Sequence, residues 1–309
     1  MMSELPIVAI IMLNWNRCED TLTCLTSLEN SDYPNCLIIL VDNGSTDGTP
    51  GRVRDLFPAV HVLETRRNLG YAEGNNVGIQ YAMAKGVGYL YLLNNDTTID
   101  ATCVQRLVHA SQRYPTAAAL CPTVFWMSQP NKLQFAGATW SRDEGLFRFY
   151  GLSQPDRLSS YGEAIESDIL VGCALFCTAE AVSAVGLFDP RFYLLWEEYD
   201  WCARAQSHGY SLLYVPQARI WHKGSASFSE GSRGVQYQYY YTRNRLLWYE
   251  KNLQGIERWR ATIRVLKELY WLTLDSKQTK GGFWDDVIWR AMLYGIRDYV
   301  TRSFGARAR

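Results

Sequence analysis

Short apolar runs alternate with stretches of helical spacing through the first third of the chain. Ile7–Leu13, Leu37–Val41, His61–Leu63 and Tyr89–Leu93 read as strands, the fullest of them uninterrupted in the way of strands buried on both faces. Glu19–Glu29, Gly74–Lys85 and Cys103–Arg113 repeat their apolar residues at helical intervals. In the last of these, Val104, Leu107, Val108 and Ser111 fall at i, i+3, i+4 and i+7, one stripe for burial. This order predicts βαβ units, and so an α/β fold on a mostly parallel, Rossmann-like sheet flanked by helices. Ligands of such sheets bind beyond the carboxyl ends of the strands. Those ends are polar here: Asn14-Trp15-Asn16 after the first run, Asp42-Asn43-Gly44-Ser45 after the second, Asn94-Asn95-Asp96 after the fourth.

The pattern then changes. Between about Ala117 and Val171 it is irregular, with strand-like pieces at Ala119–Phe125 and Asp168–Leu175. Within Phe188–His208, residues 196–201 gather three acids and three tryptophan or tyrosine side chains, and a strand-like Ser211–Val215 and the run RIWHKGSAS at 219–227 follow. From Tyr237 the spacing is helical and the composition rich in Trp, Tyr and Arg, so the expected division is a ligand-binding and catalytic unit over 1–230 and a helical extension over 231–309.

Composition narrows the function. With 48% apolar residues the chain buries a sizeable core and is not disordered. Its 31 basic and 31 acidic residues balance, which argues against a nucleic-acid binder, but the balance is uneven: Tyr237–Arg309 holds 14 Lys/Arg against 7 Asp/Glu. Eight scattered cysteines with no C-x-x-C pair look like reduced thiols, and MMSELPIVAIIMLNWN reads as a first strand rather than a signal peptide. No window reaches the ~18 apolar residues of a membrane span. The expected location is therefore the cytoplasm, or the inner face of the cell membrane as a peripheral protein. Two C-terminal stripes bear on that choice. Trp259, Ile263, Leu266 and Tyr270 repeat helically with Arg260, Arg264 and Lys267 at the edge, and Trp284, Ile288 and Tyr299 stand with Arg290, Arg297 and Arg302. Each stripe either packs on the rest of the chain or lies on an anionic leaflet.

Several constellations carry chemistry, each with a structural alternative. VDNGSTDGT (41–49) is turn and cap chemistry in any protein, yet puts the acceptor Asp42 at a strand end, where it can read a nucleobase or ribose. RRNLGYAEGNNVGI (66–79) has glycines at 70, 74 and 78 that allow close backbone approach, before a helix starting near Gly74 whose free N–H groups suit phosphate. NNDTT (94–98) either ends its strand in a capping turn or supplies oxygen ligands for Mg²⁺ or Mn²⁺. It also resembles the D-x-D-x-T of dehalogenase-type phosphatases, whose nucleophile would here be the unreactive amide of Asn94. In FYLLWEEYDW, Glu197 and Asp200 share a helical face while Glu198 points elsewhere; carboxylates among aromatics acquire raised pKa values, as a general base requires. Arg204, four residues after Asp200, can hold Asp200 in an ion pair. His222 follows a strand-like ARIW and is either structural or a metal ligand.

Taken in order, VAIIMLNWN, VDNGSTDGT, NLGYAEGNNVGI, LLNNDT and GCALFCTAEAVSAVGLFDPRFYLLWEEYDWCARAQSHGYSLLYVPQARIWHKGS resemble glycosyltransferase family 2 enzymes of GT-A fold, in particular the bacterial rhamnosyltransferase-type members. The resemblance covers about Pro6 to Ser227 and continues weakly into YYYTRNRLLWYEKN at 239–252. It implies an inverting sugar transferase acting from a dTDP- or UDP-sugar, dTDP-L-rhamnose foremost, to a glycan or lipid-linked glycan. It implies that Asp42, with Asn14 and Asn16 beside it, reads the nucleotide, that Asn68, Gly70 and Asn75 line the nucleotide and its sugar, and that Asn94-Asn95-Asp96 stands at the family's D-x-D. Asp96 keeps the metal-binding place, Asn94 replaces the first Asp, and His222 completes the metal site. Glu197-Glu198 stands at the family's Glu-Asp pair, whose second member, here Glu198, is the base. A protein that binds nucleotide sugars without turning them over remains the alternative.

Overall fold

In the computed structural model, which describes residues 5–156, 164–224, 233–276 and 287–307, the expected α/β alternation is present from the first strand. β1 (Val8–Asn14) leads to α1 (Cys18–Glu29), β2 (Cys36–Asp42), α2 (Thr49–Leu56), β3 (His61–Glu64), α3 (Gly70–Ala84) and β4 (Tyr89–Leu93). All the pairs among these strands are parallel, in the order β3-β2-β1-β4. The order reverses between β1 and β4, so a crevice opens beyond Asn14 and Leu93. α1 buries Leu22, Leu25 and Leu28 against the sheet.

Helix α3 corrects two expectations. It starts at Gly70, four residues before Gly74. Gly74 and Gly78 do not face a ligand: a β-carbon at either would run into Leu13 or Ile11 of β1, so these glycines let the helix lie close on the sheet.

Beyond β4 the sheet becomes mixed. β5 (Thr97–Ile99) and α4 (Cys103–Arg113) precede β6 (Ala117–Trp126) and β7 (Gln129–Phe135); a small ribbon, β8 (Ala138–Ser141) and β9 (Leu146–Phe149), stands apart. β10 (Ile165–Glu166) is followed by β11 (Ala174–Thr178), antiparallel to β4, and by α5 (Ala179–Val185), α6 (Glu197–Ser207) and β12 (Ser211–His222). β12 joins what looked like two pieces. Its register against β6 slips between Val215 and Arg219, around Pro216, which has no N–H for the ladder. The strand expected from Asp168 begins only at Ala174, because the chain turns at Gly172-Cys173 beside the crevice.

α7 (Arg233–Asn252), α8 (Gly255–Ser276) and α9 (Val287–Val300) form a second core with the segment before α6, centred on Phe192, Trp196, Leu247, Trp248, Val265 and Met292. None of the described helices is long and apolar enough to cross a membrane. The two C-terminal stripes behave differently. α8 packs through Ala261, Val265, Leu269 and Leu272, which leaves Trp259, Leu266 and Tyr270 exposed at 60%, 47% and 57%. Arg264 is not on that outer edge, since its guanidinium donates to the Glu144 carbonyl at 2.6 Å. On α9, by contrast, Tyr299 packs inward and bonds Glu250, and Arg302 pairs with the same carboxylate; Trp284 lies outside the described residues.

Candidate active site

The strand ends converge on the crevice as expected, but the first of their polar side chains are spent on one another. Asn14, fully buried, donates to the Asp42 carboxylate at 2.9 Å and to Ser45 Oγ at 3.0 Å, while its own carbonyl oxygen accepts from Thr21 and from Asn95. The second Asp42 oxygen accepts the Ser45 N–H at 2.9 Å, and Asn16 Oδ1 accepts the Thr46 N–H. This network fixes the β1 and β2 ends. Asn75, buried in α3, turns its amide back to the Tyr71 carbonyl. Asn14, Asp42 and Asn75 thus stand buried behind the crevice wall, Asn16 is exposed on the loop after β1, and the wall itself carries Trp15, Asn43, Asn68, Gly70, Asn94 and Asn95 around a cavity of about 400 Å³.

The amides at the start of α3 are also taken. Asn68 Oδ1 accepts the Gly70 N–H, Asn43 Oδ1 accepts that of Leu69, and the Tyr193 carbonyl accepts those of Tyr71 and Ala72. The expectation of a free helix terminus for phosphate therefore fails. Gly70 is required instead by a φ of +81° and by Tyr193, whose ring and carbonyl sit where a β-carbon would be.

Asp96 and His222 meet although 126 residues separate them, because β5 pairs with the end of β12, Thr97 opposite His222. Asp96 Oδ1 lies 3.0 Å from His222 Nε2, and the Asn94 amide is 3.3 Å from the same nitrogen. Gln134 Oε1, 2.8 Å from Nδ1, accepts its proton and leaves Nε2 to face Asp96. Burial disfavours the imidazolium, but Cys173 and Asp96 outweigh it and push the His222 pKa up to about 10, so without a cation the two form an ion pair. The donor set suits a small hard cation carried in part by substrate phosphates: one carboxylate, one oriented imidazole and the amide of Asn94. No cluster of three His, Cys, Asp or Glu occurs among the described residues, as expected when an amide replaces the first D-x-D carboxylate.

A second cavity, about 260 Å³, adjoins the first and shares Tyr71, Asn94, Asp96 and Leu194 with it. Glu197 and Glu198 both line it. This differs from the expected pairing of Glu197 with Asp200: at the first turn of α6 the two glutamates face the cavity, while Asp200 turns away to Arg204 at 3.0 Å and Lys251 at 2.8 Å, the ion pair anticipated for it. One oxygen of each glutamate is buried without a hydrogen-bond partner. Burial, with the Glu198 charge beside it, raises the Glu197 pKa well above the carboxylate range. Burial also raises that of Glu198, to about 7, against the pull of the backbone N–H groups around it, Gly172 among them.

The turn before these glutamates is strained and clamped. Tyr193, Leu195 and Trp196 have φ of 63°, 71° and 77°, left-handed values that non-glycine residues rarely hold. Asn244, buried on α7, donates to the carbonyls of Phe192, Leu194 and Leu195, and buried Arg243 donates to those of Arg191 and Phe192. Arg243, Asn244, Gln134, Tyr71 and Tyr193 were not evident from motif spacing. The only trace of the first two was the polar Arg-Asn pair inside an aromatic helix, YYYTRNRLLWY.

A parallel β3-β2-β1-β4 sheet with its cleft at the switch point, extended by antiparallel strands, is the GT-A architecture, and a mannosyltransferase from Pyrobaculum calidifontis solved with GDP-Man and Mn²⁺ has the same fold. The two align with a TM-score of 0.61 and 14% identity over 97% of this chain and 89% of the other. Residues 9–159 match glycosyl transferase family 2 and residues 89–304 match glycosyl transferase family group 2, so the chain belongs to glycosyltransferase family 2. It is 28% identical over 246 residues to an N-acetylglucosaminyl-diphospho-decaprenol L-rhamnosyltransferase of Mycobacterium tuberculosis, spanning 72% of this chain and 76% of that protein. A dTDP-rhamnosyl transferase of Shigella flexneri is 22% identical over 195 residues, 61% of this chain and 60% of that one. The chain is a glycosyltransferase.

Proposed function

We propose that the enzyme transfers a sugar, with inversion, from a nucleoside diphosphate donor to a hydroxyl of a glycan or lipid-linked glycan in cell-surface polysaccharide synthesis. L-rhamnose from dTDP-rhamnose is the leading candidate, supported by what the two rhamnosyltransferase relatives are named for. The observation that carries the mechanism is Glu198: a buried carboxylate with a pKa of about 7 and an unpartnered oxygen, in the cavity that adjoins the donor cleft.

The nucleotide lies in the first cavity, along Trp15, Asn43, Asn68 and Gly70, with its diphosphate toward Asn94, Asn95 and Asp96. Asp42, Asn14 and Asn75 act behind it, holding the shape of the wall, and exposed Asn16 ties the loop after β1 to Thr46. The acceptor hydroxyl enters from the second cavity. Glu198 takes its proton as the oxygen forms a bond to the anomeric carbon, and the bond from that carbon to the diphosphate breaks on the opposite face, with the electron pair leaving on the phosphate oxygen. Glu197 stands beside it, and burial together with the Glu198 charge raises its pKa and favours its protonated form. Asp96 and His222, with Asn94, would hold Mg²⁺ or Mn²⁺, which supplies positive charge to the leaving diphosphate. A panel of dTDP-, UDP- and GDP-sugars with Mn²⁺, scored for nucleotide release, tests the reading. Release from one donor in the presence of acceptor is expected; tight binding with no turnover of any donor would leave a non-catalytic binder in its place.

The outer face of α8 supports contact with an anionic membrane. Its exposed tryptophan, leucine and tyrosine stand beside Arg260 and Lys267, a pairing that gains from both apolar insertion and attraction to acidic lipid. Flotation with phosphatidylglycerol vesicles at low salt is expected to carry the protein upward, and Trp259→Ser with Tyr270→Ser to leave it at the bottom. No flotation of the unaltered enzyme would remove the membrane from the account.

A further inference from the structure

We propose that Arg307, on the segment after α9, binds the donor's diphosphate, which makes the end of the described chain part of the donor site; this rests on the donor cleft proposed above. Arg307 lines the 400 Å³ cavity together with Tyr193, Tyr240 and Asp96. Its backbone N–H donates to the Tyr240 hydroxyl at 2.9 Å, and Tyr240 stacks on Tyr193, whose hydroxyl donates to Asn68. The segment is anchored one step earlier as well. Gly305 donates its N–H to the Arg191 carbonyl, and its own carbonyl accepts from buried Arg243 at 2.8 Å. The same arginine thus holds the turn before Glu197 and the segment that carries Arg307.

The side chain is prepared for an anion. The guanidinium lies over the rings of Tyr239 and Tyr294, at 4.8 and 5.5 Å from their centroids, and has no carboxylate partner among the described residues. Tyrosine faces hold the charged group in place without neutralising it. The charge count at the cleft gives it a task. A nucleoside diphosphate sugar brings two negative charges and leaves with about three, and with an amide at Asn94 only Asp96 is a carboxylate ligand to hold a cation against them. Among the described lining residues, Arg17 and Arg307 are the cationic ones and Asp96 is the carboxylate. A planar guanidinium that reads phosphate oxygens in pairs supplies positive charge on the side of the cavity formed by the C-terminal helices.

The test is calorimetric titration of the full chain with dTDP, UDP and GDP, and with the nucleoside of whichever binds most tightly. Arg307→Ala is expected to weaken the diphosphate by about 10- to 100-fold, and the nucleoside by less than about twofold. Arg307→Lys, which keeps the charge and loses the fork, should fall between. Equal affinity for the diphosphate in all three proteins overturns the assignment, as does an equal loss for nucleoside and diphosphate, which would mark a structural role. If the unaltered enzyme binds none of the three diphosphates, the donor-cleft reading itself falls. Circular dichroism melts of both variants confirm that each is folded; Arg307→Lys carries the test should Arg307→Ala not be.

Discussion

Glu198→Gln is expected to lower turnover by about 100- to 10,000-fold while leaving the affinity for nucleoside diphosphate within about twofold. Glutamine keeps the volume and the contact with Gly172 but cannot accept a proton. The environment that makes this loss large is measurable in the native enzyme too. With a pKa of about 7 set by burial, Glu198 is mostly protonated at pH 6 and mostly ionised at pH 8. A base works only when ionised, so the rate should rise with pH up to about 7 and level off above it. In Glu198→Gln the residual rate should lose that rise. Glu197→Gln separates the two carboxylates. Burial and the Glu198 charge favour the protonated form of Glu197, which glutamine imitates, and the loss should stay below about tenfold. A large loss at 197 with none at 198 would exchange their roles.

The second large effect concerns Asp96. Asp96→Ala, or exhaustive EDTA treatment of the native enzyme, should abolish most transfer, with Mn²⁺ or Mg²⁺ restoring the treated enzyme but not the variant. Positive charge at a departing diphosphate is worth several kcal/mol, hence roughly two to three orders of magnitude in rate. The site offers one carboxylate and one imidazole, so the cation is held weakly without donor. Its affinity should therefore rise when nucleoside diphosphate is present, which paramagnetic Mn²⁺ titration reads directly. Full activity after EDTA would remove the cation role of both Asp96 and His222. Asp96→Ala also strips the buried His222 of its partner, so thermal unfolding must accompany the assay.

Much of this was legible before any coordinates. Strands β1 and β4 announced themselves because they are buried on both faces, and the polar strand ends because nothing but a ligand or a turn accounts for polarity there. The strand ends do meet at one crevice. What periodicity could not supply was direction within a cluster. Asn14 and Asp42 look like ligand-reading groups in one dimension and prove to be bonded to each other in three. Gly74 and Gly78 pack a helix on its sheet, while Gly70 alone answers to backbone geometry. On α8 the large aromatics could be read as a core or as a membrane-facing stripe, and the residues that join the core are the smaller, less conspicuous Ala261 and Val265. The clamp of Arg243 and Asn244 was hidden for a simpler reason: its partners are backbone carbonyls, which every sequence has and none displays.

That clamp also sets an order of events during synthesis. Chains leave the ribosome from the N-terminus, so the strand ends of the cleft and both glutamates are made before α7. The carbonyl of Leu195 must wait for an amide that arrives 49 residues later. Until then the left-handed backbone at Tyr193, Leu195 and Trp196 lacks the amide that bonds the carbonyls of this turn. The turn before the two glutamates is thus completed only by side chains made after them.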